Sequence, residues 1–164
     1  MFLTFDSRAI TDLSPLKALP ELRQFVCSVP FPNRSWLTDL SPLSGMSLTR
    51  LECERTRVAD LSPLKGMPLT KLDLTGTPVS DLTPLKGMPL AWFDLVGTRV
   101  ESLAPLAGMR LTRFDLGGVP VADLSPLKGV PLEYLNIGSS KVTDLSPLQG
   151  APLRYLSCWG TQVS

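Results

Sequence analysis

The sequence predicts an α/β solenoid with one parallel sheet on one face and short turns on the other. Two observations carry this. The stretch 60–80, DLSPLKGMPLTKLDLTGTPVS, is followed at 81–101 by DLTPLKGMPLAWFDLVGTRVE, a near copy. The motif Asp-Leu-Ser-Pro-Leu then returns at a fixed interval, starting at positions 39, 60, 81, 102, 123 and 144, with Ser102 standing once for the Asp. An earlier copy begins at Asp12, so the first full unit carries six extra residues. Self-similarity at a period of 21 with L-x-x-L-x-L inside each copy reads as a leucine-rich repeat, a right-handed horseshoe coil in which each unit contacts only its neighbours.

Each unit can be read in order. In LTKLDL (69–74), Leu72 and Leu74 alternate with Lys71 and Asp73, the period of a half-buried strand. LRQFVC (22–27), LTRLEC (48–53), LAWFDL (90–95), LTRFDL (111–116), LEYLNI (132–137) and LRYLSC (153–158) are the equivalents, and Leu3 with Phe5 fits a half-strand at the start. Stacked at about 4.8 Å, seven such strands span roughly 30 Å. A glycine-containing turn follows, as in TGTP (75–78). One β-branched residue then points back inward: Val58, Val79, Val100, Val121, Val142 and Val163, with Ile10 early and Leu37 in the expanded unit. Ser-Pro-Leu-Lys-Gly closes the coil as one short 3₁₀ turn. Ser is expected as its N-cap, Pro at its first position and Gly as a left-handed exit. The leading Asp is expected to bond local amides. Met67, Met88 and Met109 fill the gap before the next strand.

The unit boundaries follow: a half repeat at 1–11, an expanded repeat at 12–38, and regular repeats at 39–59, 60–80, 81–101, 102–122, 123–143 and 144–164. Neither end carries a polar cap, so the chain is expected to be a fragment of a longer protein or to associate edge to edge.

The phrase xxLxLxGTxVxDLSPLKGMPLT resembles the leucine-rich repeats of planctomycete-type bacterial proteins, some of which are attached to Ser/Thr protein kinases. It is also similar to the internalin-type repeat, which places I-x-D-I-x-P-L here with a period one residue longer. The resemblance covers essentially the whole chain and implies a binding scaffold; the alternative is a structural spacer or self-associating repeat array in a larger bacterial protein, for example a kinase-linked or surface one. The Asn usual at the end of the strand motif is replaced by Thr56, Thr77, Thr98 and Thr161, with Val119 and Ser140 in the other copies. The backbone at that corner is therefore expected to be more weakly or differently bonded.

Composition narrows function. Net charge is +1, which argues against nucleic acid or anionic membrane as the partner. No apolar run reaches membrane-spanning length and the start lacks the regions of a secretory signal, so a cytoplasmic location is expected. Histidine is absent, which removes His-based triads and His-ligated metals. No nucleophile–base pair or cofactor motif is visible, so no enzyme and no cofactor are expected. Cys27, Cys53 and Cys158 all take the second inward strand position and read as buried thiols, although a bridge between Cys27 and Cys53 on adjacent strands stays open.

The outward positions are where a partner reads the surface. One row is Gln24, Arg50, Lys71, Trp92, Arg113, Tyr134, Tyr155; the next is Val26, Glu52, Asp73, Asp94, Asp115, Asn136, Ser157. The acids Glu52, Asp73, Asp94 and Asp115 resemble a calcium ladder, which needs six to eight oxygens. The adjacent cations offer the simpler account of mutual compensation. Trp92, Tyr134, Tyr155 and Trp159 project outward, as interaction hot spots do. With Arg50, Lys71, Asp94 and Arg113 beside them, they form the candidate site for a protein or peptide. Two irregularities remain. The insertion 28–36, SVPFPNRSW, offers Phe31 and Trp36 either as a projecting binding loop or as a segment packed over the next turn. The stretch SLAPLAGM (102–109) loses the Asp, Ser and Lys, as a docking spot or as a drifted copy that still packs. The convex lysines Lys17, Lys65, Lys86 and Lys128 read as a solubility device.

Overall fold

A computed structural model describes residues 1–4, 11–28 and 32–163. Each unit contributes one three-residue strand: β1 (Phe2–Thr4), β2 (Gln24–Val26), β3 (Arg50–Glu52), β4 (Lys71–Asp73), β5 (Trp92–Asp94), β6 (Arg113–Asp115), β7 (Tyr134–Asn136) and β8 (Tyr155–Ser157). They form one parallel sheet in chain order, so the molecule is a leucine-rich-repeat solenoid. Pairing is in register throughout: Gln24, Arg50, Lys71, Trp92, Arg113, Tyr134 and Tyr155 face one another in sequence, and so do the residues two positions on. Both predicted outward rows are therefore real rows. Leu3 pairs with Phe25, which places the early half-strand in the same sheet. Phe5 and Ile10 lie outside the described residues.

Between strands the chain makes the expected 3₁₀ turns, Ser14–Ala18 in the first unit and three residues in each later one, such as Ser62–Leu64. Pro lies in the first turn each time. The cap is not the one expected. Ser does not accept an amide; Asp does, two residues earlier. Asp60 Oδ1 accepts the Ser62 N–H at 2.8 Å, and the copies at Asp12, Asp39, Asp81, Asp123 and Asp144 repeat this. The Ser hydroxyl instead donates back to the other oxygen of the same Asp in three units. The residue between them already has near-helical ψ, so the nearest acceptor with reach is the Asp. This also explains the drifted copy. Ser102 Oγ takes the Asp's place and accepts the Ala104 N–H at 3.3 Å, and the turn Ala104–Leu106 still forms.

At the substituted corner three Thr hydroxyls bond backbone carbonyls, while Thr98 Oγ1 is buried without a partner. Thr56, Thr77 and Thr161 Oγ1 donate to the carbonyls of Cys53, Leu74 and Cys158 at 2.9, 2.7 and 2.6 Å, within their own coil. Leu72, Phe93 and Phe114 on the first inward position, Leu74, Leu95 and Leu116 on the second, and the Val and Met positions form a continuous buried ribbon. Phe93 and Phe114 stack at 5.5 Å between centroids. Cys27 and Cys53 are buried free thiols, their sulfurs 3.3 Å apart. Cys158 corrects the prediction: it is exposed. It directly follows β8, which has a paired strand on one side only, so its slot is half open; Leu156, on β8 itself, is exposed for the same reason.

Two measurements check this packing. Under native conditions a thiol reagent should label Cys158 rapidly and Cys27 and Cys53 only on unfolding, giving one fast site and two protected ones. Gly87 exits its turn at φ +74° with no atom within 4 Å of where a Cβ would go. Gly87→Ala should then cost only backbone strain, about 1–2 kcal/mol in chemical denaturation.

Candidate functional site

The predicted site residues lie on the sheet's outer face, and register decides which of them meet. Rows pair one residue per strand, so side chains in one row lie directly beside each other. Lys71 Nζ sits 3.3 Å from the centroid of the Trp92 ring. On the other side of that ring, the Arg113 guanidinium is 5.2 Å from its centroid and 3.7 Å from that of Tyr134. Tyr134 stacks on Tyr155 at 4.4 Å with the planes 4° apart. Five of the eight predicted residues thus form one stack: cation, ring, cation, ring, ring. Each cation–ring contact is worth about 0.5–1 kcal/mol where exposed.

The second row holds the first in place. Glu52 Oε1 is 2.7 Å from both Arg50 Nη2 and Lys71 Nζ. Burial alone would raise the Glu52 carboxyl, but hydrogen bonds from Lys71 and Arg50 outweigh it and hold it below the ordinary glutamate range. Asp94 Oδ2 accepts the Trp92 indole N–H at 2.7 Å, which orients the ring and uses its only donor. Asp115 Oδ1 accepts the Gly117 amide and the Asn136 side-chain amide at 3.0 and 2.9 Å. Asp73 Oδ1 accepts the Thr75 N–H.

Asp94 is the strained member. It is 8% exposed, and its Oδ1 has no partner. Burial, then the Asp73 charge, pushes its carboxyl up to about 6, against the Trp92 hydrogen bond. Asp73 is raised by burial, and Glu54 beside it by burial and then by Asp73 and Glu52. The calcium-ladder reading meets a different arrangement. The cations already occupy Glu52, and among the described residues no three carboxylates or thiols converge on a metal position.

Trp159 is placed beside the stack rather than in it. It is 67% exposed and lies over Gly138; a Cβ at Gly138 would come within 2.5 Å of its indole nitrogen. Gly138 is the residue that sequence reading passed over. The signal was present in the alignment, since Gly138 replaces the Thr75 and Val96 of other copies. Trp36 lies apart from the sheet row. The described part of the insertion packs back: Ser35 is fully buried, its N–H donates to the Arg55 carbonyl at 3.0 Å, and Arg57 covers the Trp36 ring at 3.8 Å. Phe31 lies outside the described residues.

No family model matches the chain, and no curated protein matches it. Solved structures do. Internalin C2 of Listeria monocytogenes superposes with a TM-score of 0.90 at 27% identity, over 99% of this chain and 73% of that one. The Listeria monocytogenes internalin inlF superposes with a TM-score of 0.78 at 28% identity, over 94% of this chain and 53% of that one. The chain therefore spans about half the length of the second neighbour, and its solenoid is internalin-like.

The raised Asp94 carboxyl has a definite pH consequence. Its folded pKa lies above its ordinary 3.8, so the fold binds the proton more tightly than the unfolded chain does. Its contribution is favourable below about pH 4 and is lost as pH rises towards 6. Asp94→Asn keeps the acceptor for Trp92 and removes this loss. It should raise stability at pH 7 by about 1–2 kcal/mol and shrink the decline between pH 4 and 6, leaving the part owed to the raised Asp73 and Glu54 carboxyls. The carboxyl carbon of Asp94 should titrate by NMR with a midpoint near 6.

Proposed function

We propose that this chain is a non-enzymatic scaffold that binds a protein or peptide segment on its concave sheet, centred on Trp92, Arg113, Tyr134 and Tyr155. The observation that carries this is the stack itself. Side chains already clamped between neighbours lose little rotamer freedom on binding, which is a main cost of association. The ring faces inside the stack are covered, so a partner meets the ring edges, while the Arg113 Nε is buried within the stack. Tyr155 and Trp159 add open aromatic area at 49% and 67% exposure. Apolar area beside ordered donors suits an extended peptide. Arg50 and Lys71, tied to Glu52, form the quieter end of the surface. The internalin-like solenoid supports the reading as a repeat scaffold.

Photo-crosslinking from the concave face, followed by affinity measurement on the captured partner, tests this. Trp92→Ala and Tyr134→Ala should each weaken binding tenfold or more, the size of a hot-spot loss. Lys86→Ala on the convex side should leave it unchanged. Equal affinity for all three variants would reject the concave face as the site.

A further inference from the structure

The six extra residues of the first full unit build something the regular units lack. Ser35, fully buried, donates its N–H to the Arg55 carbonyl, and its Oγ accepts the Leu37 N–H at 3.1 Å. The Arg57 N–H donates to the Leu37 carbonyl at 2.8 Å. The segment is thereby fixed to the following coil, and Arg34, just before the anchor, is carried across to the turns of the next two. There it lines a groove of about 110 Å³ with Gly76, Thr77, Pro78, Gly97 and Arg99. Gly97 leaves the groove open, since no atom lies within 4 Å of where its Cβ would be.

The charge here is uncompensated. Among the described residues no carboxylate pairs with Arg34 or Arg99, in a chain whose net charge is only +1. The backbone amides cannot serve as donors. Those of Gly76, Thr77, Gly97 and Arg99 are spent on Val96, Leu74, Gly117 and Val79 carbonyls. Two arginines are left lining a space far below the roughly 300–1,000 Å³ of small-molecule sites. A planar carboxylate is satisfied by one fork, whereas a tetrahedral oxyanion presents oxygens to two at once. The position of Arg99 is Pro78 and Pro120 in the flanking units, so the pairing occurs at this one place along the edge.

We propose that the Arg34–Arg99 groove binds a single phosphate or sulfate group. The site lies on the turn edge, off the concave sheet, so its failure would leave the proposed peptide face untouched.

Titration of inorganic phosphate, and separately of sulfate, into ¹⁵N-labelled protein at constant chloride tests it. Saturable amide shifts are expected at Gly76, Thr77 and Gly97. Arg34→Ala and Arg99→Ala should each weaken binding at least tenfold, and the Lys replacements should also weaken it, because the fork is lost. Both are exposed, so the fold should survive, and Lys86→Ala should bind as the parent does. Tightening of phosphate but not sulfate between pH 6 and 8 would assign the site to the phosphate dianion; equal behaviour would assign it to either group. Shifts that do not saturate, that persist in the double Ala variant, or that acetate reproduces at the same concentration would overturn the proposal.

Discussion

Every three-residue strand pairs with the next without a register shift, and this constraint makes both the core and the surface. A strand that short has no stability alone, and a single coil of 21 residues cannot close a core. Each unit is held by the ladder to its neighbours and by the ribbon of Leu, Phe, Val and Met they share. Because alignment is one-for-one, any property repeated in the sequence becomes a row about 4.8 Å apart in space. Charge placed at the same position in successive units would accumulate in the same way.

That accumulation shapes the outer face. Glu52, Asp73, Asp94 and Asp115 form four successive acids in one row, an arrangement that self-repulsion opposes. The molecule relieves it differently at each step. Glu52 is neutralised by two cations, Asp73 by a local amide, Asp115 by a local amide and the Asn136 side chain, and Asp94 by one hydrogen bond from the Trp92 indole with the Arg113 charge nearby. The residual strain collects at Asp94, which is why its carboxyl holds a proton longest. The same indole bond fixes Trp92 between Lys71 and Arg113, so the acid row and the aromatic stack are one structure. Removing an acid therefore changes ring order as well as charge.

Much of this was legible in the sequence. The period fixed the coil, and alternation put each row residue on the correct face, because both follow from covalent spacing. The order of contacts within a row was not legible, since it depends on side-chain rotamers across strands: Arg113 leaning towards Tyr134 rather than Trp92 has no sequence signature. The Ser-for-Asp error at the cap arose because both are good acceptors and only the backbone between them decides. Cys158 was misjudged because its slot is apolar in every other copy, and burial there comes from the next strand rather than from the residue. The path of the insertion was open for a similar reason. Trp36 is equally compatible with solvent and with a stacked arginine, and Ser35 gives no hint in sequence that its amide reaches Arg55.

In a repeat array the shared positions specify the coil, so whatever is particular to this molecule must sit where copies differ. Three kinds of difference occur, and they have different physical weight. The drifted copy at 102–109 replaces one acceptor by another and keeps its turn, so it alters little. The outward rows change charge for aromatic rings from one strand to the next while the backbone stays fixed, which turns a repetitive sheet into a directional surface. The insertion changes chain length itself. It is anchored by a buried Ser and by Arg57 stacked on the otherwise exposed Trp36, interactions that cost conformational freedom and add nothing to the core of the regular units. A segment ordered at such cost, delivering an unpaired arginine over a groove, is harder to explain as packing than either of the other departures.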